Sequence, residues 1–217
     1  MENKQSKLSK KDLNKSIWRW QFFSHANYNY ERLQASSFAL SMIPIIKKLY
    51  PDNQEKQIEA IQRHLGFFNT EPNFGAVIHG ITVAMEEEKS DGAPISEEAI
   101  NSIKVGLMGP LAGLGDTLTQ GTIIPLLLAI GISFGEKGNL FGPLFFMLAC
   151  SAALIMITRT TFFLGYKSGK NAVNTLLTDE RFDKVINGAS ILGVMVIGAL
   201  IAQYVQFNLA LVLNIGS

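Results

Sequence analysis

Cysteine is nearly absent: Cys150 is the single thiol in 217 residues, and it lies in an apolar run. No disulfide framework or cysteine-based metal cluster can be built from it. Histidine is scarce too. His25, His64 and His79 fall in separate segments; no pair has metal-ligand spacing, and no Ser-His-Asp or Cys-His order can be argued. Each reads as a structural or interfacial polar residue rather than a catalytic one, and no cofactor is implied. Charge of one sign is not in excess, 19 Lys and Arg facing 18 Asp and Glu, which argues against nucleic acid as a main partner. The N-terminus has lysines but no apolar run before a small-residue cleavage site, so it is not a secretory signal peptide.

Charge itself runs out along the chain. Residues 1–104 carry 26 of the 37 charged side chains; between Val105 and Tyr166 only Asp116, Glu136, Lys137 and Arg159 are charged, and from Val185 to Ser217 none is. This asymmetry predicts an all-α integral membrane protein in two parts. Residues 1–103 form an amphipathic, largely cytoplasmic or interfacial helical region, and residues 104–217 a membrane-embedded region.

In the first part, Trp18, Trp20, Phe22, Phe23, Tyr28 and Tyr30 surround Arg19 and Arg32. Aromatics beside basic residues suit the headgroup layer; an ordinary amphipathic core helix is the alternative. The apolar patch Phe38 to Ile46 is interrupted by Pro44 and too short to span ~30 Å of hydrocarbon. Ile58, Ile61 and Leu65 form one stripe of a surface helix. Pro72 and Gly75 break the chain, and the next helix, Ala76 to Met85, closes on Glu86-Glu87-Glu88, read as a solvated acidic end. Asp91-Gly92-Ala93-Pro94 is a turn, and Ser96 a helix N-cap followed by two stabilising acids.

The second part opens on Lys104-Val105-Gly106-Leu107-Met108-Gly109-Pro110-Leu111-Ala112-Gly113-Leu114-Gly115-Asp116-Thr117-Leu118. It is apolar enough to be buried, yet proline and four glycines oppose a regular helix, and an aspartate in lipid costs about 2.5–3.5 kcal/mol. It reads as broken backbone at membrane depth, shielded by protein or a wet cavity, the setting in which transporters build solute sites. About three spans are expected: Gln120 to Phe134 together with part of this stretch, Gly142 to Tyr166, and Gly188 to Val205. Lys167, Lys170, Arg181 and Lys184 place the 167–184 loop and the N-terminus on the cytoplasmic side. Gly113-Leu114-Gly115-Asp116 also matches the GxGD pattern of intramembrane aspartyl proteases. That chemistry needs a second carboxylate sharing a proton, and the remaining acids beyond Lys104 all lie in polar loops. Asp116 reads either as a solute ligand or as an acceptor for backbone groups freed by Pro110 and the glycines.

Three collinear segments carry a family resemblance: KVGLMGPLAGLGDTL, Phe22-Phe23 through Asn29-Tyr30-Glu31-Arg32-Leu33-Gln34, and His64-Leu65-Gly66-Phe67-Phe68-Asn69-Thr70 leading to Ala84-Met85-Glu86-Glu87-Glu88. From about Ile17 onward the chain resembles the IID subunit of mannose-family (mannose/fructose/sorbose) sugar phosphotransferase systems. Members commonly have Met where Leu33 stands and His where Glu71 stands. They usually continue through a further hydrophobic helix, so this chain is expected to be a short or truncated member. The resemblance implies a multi-pass subunit of the bacterial inner membrane, N-terminus cytoplasmic, that forms with a IIC subunit a hetero-oligomeric sugar-conducting unit. The phosphoryl group comes from cytoplasmic IIB, which receives it from IIA, so IID is not itself the enzyme. The substrate would be a hexose or amino sugar. Asp116, Thr117 and Gln120 are the first candidates for sugar contact, their carboxylate, hydroxyl and amide suiting sugar hydroxyls. Asn29, Glu31 and Gln34 form a second polar group, and Asn69 and Thr70 a third. Gly109, Gly113 and Gly115 are assigned to backbone geometry. The competing reading is a non-transport membrane scaffold that docks cytoplasmic proteins through its acidic helix end and basic loop.

Overall fold

The computed structural model describes residues 7–135 and 138–169, with Met195 and Gly198 beyond them. These residues are helical, without a strand among them: α1 (Lys10–Phe23), α2 (Ala35–Leu49), α3 (Gln54–Gln62), α4 (Pro72–Ser90), α5 (Glu97–Gly115), a π-helical stretch (Asp116–Ile123), α6 (Ile124–Gly135) and α7 (Phe141–Ser168). By length and composition two helical runs can cross a membrane, Glu97–Gly135 and Phe141–Ser168, matching the first two expected spans; the third, Gly188 to Val205, lies outside the described residues. The chain divides into two compact units.

The first unit contains residues 7–115 and the part of α7 from Ile155 onward. Ser9 starts α1 with a capping box: its hydroxyl accepts from the Asp12 amide, and the Asp12 carboxylate accepts from the Ser9 amide at 3.0 Å. This arrangement satisfies amides that the first turn leaves orphaned. α2 runs antiparallel to α1, Ser16 lying against Ser41 and Trp20 against Phe38. Pro44 does not interrupt α2. Proline deprives the carbonyl four residues earlier of its helical donor, and that carbonyl, Leu40 O, is taken by Arg19 Nη1 at 3.3 Å.

α4 is the hub. Gly75 to Glu86 are all buried, as expected of a helix covered on every side. Its Gly80 sits against the Phe162 carbonyl, and Gly165 of α7 against the Val77 carbonyl, so closely that a Cβ at either would collide with backbone. Small residues at a crossing allow such backbone approach. Trp20, Phe38 and Phe162 pack around His79, and Phe68 packs against Trp20 and Phe38.

Two expectations are corrected here. The helix over 76–85 is longer, and its acidic end is not simply solvated: Glu86 is fully buried, paired with Arg63 and His64. On α3 the buried residue is Ala60, while Ile58 is 49% exposed; a small side chain lets α3 lie close to its neighbours, which the spacing of bulky residues does not reveal.

The second unit holds residues 116–135 and 138–154 among those described. α6 and the start of α7 form a hairpin that closes where Gly142 faces Gly131 and Gly135, again with no room for a Cβ at Gly142. Phe134 packs edge-on to Phe141 and Phe145 at 5.2 and 5.7 Å.

Candidate functional site

Asp116 opens the π-helical stretch. α5 remains α-helical through Pro110 to Gly115, so the expected break takes the form of a change of helix type rather than an open loop. A π-turn bonds each amide one residue further back and widens the helix, a geometry frequent at functional sites. The side chains there serve one another and the backbone. Gln120 Nε2 donates to Asp116 Oδ1 at 3.1 Å, and Thr122 Oγ1 to the Thr117 carbonyl at 3.0 Å. Asp116 and Gln120 are exposed and Thr117 half-buried. One carboxylate and one amide, pre-aligned and open to a ligand, can together accept from and donate to neighbouring hydroxyls.

The other candidates gather within the first unit, where two motifs far apart in sequence are clipped together. The Gln34 amide donates to the Phe68 carbonyl at 2.9 Å, and the Phe68 amide to the Arg32 carbonyl at 3.4 Å. The Gln34 side chain brackets Thr70, donating to its carbonyl at 3.0 Å and accepting from its amide at 2.9 Å. Thr70 Oγ1 then reaches the Met108 carbonyl on α5 at 3.2 Å. Gln34 and Thr70 are buried, and these bonds engage the Gln34 amide group at both ends. Asn29 accepts from the Arg32 amide at 2.8 Å and steers the turn in which Leu33 adopts φ +50°, a left-handed conformation uncommon for a side chain of this kind. Asn69 accepts from Tyr28 Oη at 2.9 Å, and exposed Glu31 pairs with Arg32 at 3.2 Å.

Glu71 is the residue after this bracket. It is 4% exposed and caps α4, its Oε2 accepting from the amides of Asn73 at 3.1 Å and Phe74 at 2.8 Å, where a helix dipole favours an anion. Asn73 passes the network to α7, accepting from Thr158 Oγ1 at 2.9 Å and Thr161 Oγ1 at 2.7 Å. The Glu71 carboxylate also fills the space beside Gly115, where a Cβ would collide with it. Among the described residues, a Cβ at Gly109 or Gly113 meets open space.

Sequence reasoning missed a buried charge cluster. Glu86 Oε1 lies 3.3 Å from Arg63 Nη1 and 3.1 Å from His64 Nε2, and Arg63 Nη2 extends the pairing to Glu97 at 3.1 Å. Beside it Lys104, fully buried, points its ammonium at the faces of Phe38 and Phe68, 4.9 and 5.8 Å from the ring centres; among the described residues it has no hydrogen-bond acceptor. Burial lowers the His64 pKa against the pull of Glu86. It pushes His79 down to about 3, with His64 adding to the effect. Ser16 Oγ and Ser41 Oγ donate to carbonyls, so the His79 Nε2 between them, at 3.0 and 3.2 Å, is the nitrogen that carries the proton. The signals available in the sequence were Lys104, a cation at the head of an apolar run, and Arg63-His64 next to each other. Among the described residues no group of three His, Cys, Asp or Glu could hold a metal ion.

Comparison with known proteins gives a consistent picture. A family model described as "PTS system mannose/fructose/sorbose family IID component" matches residues 7–217. The mannose-specific EIID component of Escherichia coli K12 is 40% identical over 97% of this chain and 74% of that protein. The fructose permease IID component of Bacillus subtilis 168 is 40% identical over 97% of this chain and 76% of its own length. Among solved structures, a cryo-EM structure of the mannose transporter ManYZ in complex with microcin E492 contains a chain that superposes with a TM-score of 0.73. That chain is 41% identical and is matched over 92% of this chain and 72% of its own length.

Proposed function

The chain belongs to the mannose/fructose/sorbose family of IID components, the membrane permease components of the sugar phosphotransferase system, and on that footing we propose how it works. It pairs with a IIC subunit in a hetero-oligomer of the bacterial inner membrane, and the two together enclose the sugar passage. Residues 1–103 lie in the cytoplasm and at the interface, N-terminus inside, and residues 104–217 are embedded. The phosphoryl group reaches the sugar from a IIB subunit charged by IIA, so uptake and phosphorylation are coupled without a catalytic group on this chain. The sugar is a hexose or amino sugar.

The observation that carries this reading is the π-helical stretch, which presents Asp116, Thr117 and Gln120 within a membrane-length helical run. A carboxylate is retained at such depth when it has work with a polar ligand. Asp116 takes two sugar hydroxyls as acceptor, while Gln120 holds it in place and offers its carbonyl oxygen and remaining N–H. The bracketed pair Gln34 and Thr70 positions the loop before α4, and Asn29, Glu31 and Asn69 line the polar end of that assembly.

Asp116→Asn, reconstituted with IIC and IIB, is expected to abolish sugar uptake while the two membrane subunits still co-purify. Loss of co-purification would instead assign Asp116 to backbone support. A flux assay with IIC present and absent separates transport from membrane scaffolding.

A further inference from the structure

α1 presents two tryptophans of opposite fate. Trp20 is fully buried, its indole donating to the Pro72 carbonyl at 2.9 Å. Trp18 is 37% exposed and stacks on Phe22, which is 69% exposed, with ring centres 5.4 Å apart. Residues spaced by three and four share a helix face, and Lys11, Lys15, Trp18 and Phe22 make one outward stripe, all four exposed. The stripe changes character along its length. Its N-terminal end is basic: Lys10 is exposed there too, and the antiparallel α2 brings exposed Lys47 and Lys48 to the same end, Lys48 close enough to Asp12 to act on its carboxyl. Asp12 itself is occupied by the Ser9 cap. The C-terminal end is aromatic.

α7 supplies a depth mark. Phe141 to Thr158 carries no charge and rises ~27 Å as a helix, close to the ~30 Å thickness of hydrocarbon. Arg159 is the first charge after it, and its guanidinium lies 5.8 Å from the centre of the Trp18 ring. Arg159 belongs at the hydrocarbon boundary, and Trp18 beside it.

We propose that the outer stripe of α1 is a lipid-binding surface, with Trp18 and Phe22 seated at the hydrocarbon boundary and Lys10, Lys11, Lys15, Lys47 and Lys48 on anionic headgroups. Lysines are depleted at the cores of protein interfaces, whereas aromatics continued by lysines suit the interfacial layer, in which apolar contact and attraction to anionic lipid add. The occupant is therefore an anionic leaflet rather than a partner subunit. The idea uses the membrane setting of the family but not the sugar site, and its test requires no transport.

The full chain contains only these two tryptophans, so its own fluorescence reports the answer. Wild-type and Trp18→Phe chains are reconstituted in phosphatidylcholine vesicles brominated high on the acyl chains or near the chain ends. High bromines are expected to quench wild-type emission by roughly a third or more, and deep bromines less, the pattern of an interfacial aromatic. Trp18→Phe, left with shielded Trp20, is expected to lose most of that quenching. Equal quenching of the two chains overturns the proposal, because Trp18 then faces water or protein. Replacing part of the lipid with phosphatidylglycerol is expected to raise high-bromine quenching of wild type, and to raise it less in a Lys11→Gln/Lys15→Gln chain, which keeps three of the five lysines. The same response in both chains overturns the role given to the lysines.

Discussion

Lys104 and Glu86 show how individual charges are tolerated in a packed interior. Glu86 is held between Arg63 and His64, while Lys104 meets, among the described residues, two aromatic faces and the field of that carboxylate. Removing one member of a buried pair leaves the other uncompensated, at about 3–5 kcal/mol, whereas an apolar replacement of similar shape is often neutral or stabilising. Glu86→Gln is thus expected to lower the melting temperature in detergent by on the order of 10 °C, and Lys104→Met to preserve or raise it. The histidines add a pH dependence. His79 is neutral when folded, with its pKa depressed to about 3 from 6.5, so below pH 6.5 the unfolded chain binds the extra proton. Its contribution is present above pH 6.5 and is lost progressively down to about pH 3, at up to ~1.4 kcal/mol per pH unit; His64 acts in the same direction. Melting curves between pH 7.5 and 5 are expected to fall, and less steeply for His79→Gln. Gly115 gives a local steric test. Gly115→Val drives a side chain into the Glu71 carboxylate, an overpacking expected to cost about 1–3 kcal/mol.

At the scale of helices, much was legible in the sequence. The charge asymmetry and the uncharged runs located the first two membrane-length helical runs, and Ser96 was recognisable as a cap: its hydroxyl accepts from the Ala99 amide at 3.1 Å. What could not be read depended on a second element. Pro44 suggested an interruption because the remedy, Arg19, lies on α1. Glu86 suggested a wet helix end because its counter-charge, Arg63, comes from the C-terminal end of α3. The polar residues of the 29–34 and 69–70 motifs were legible as candidates one by one. Their clipping through Gln34, Phe68 and Thr70 is long-range pairing that no local pattern encodes. The glycines divide for the same reason: Gly115 faces Glu71, whereas a Cβ at Gly109 or Gly113 would meet open space among the described residues.

For the molecule as a subunit, that division makes a prediction. Gly109 and Gly113 are spaced by four on α5, the spacing that allows close helix packing in lipid. Gly109→Val is expected to leave the melting temperature of the isolated chain unchanged and to abolish co-purification with IIC; a loss of stability without a loss of binding would reverse that assignment. The cradle around Lys104 also has an order in time. Phe38, Phe68 and Glu86 all precede it, so these three groups leave the ribosome before the cation does. Phe162, which closes the far side of His79, comes much later. The nascent chain thus carries the receptacle for its most awkward charge before the long apolar helix behind that charge reaches the insertion machinery.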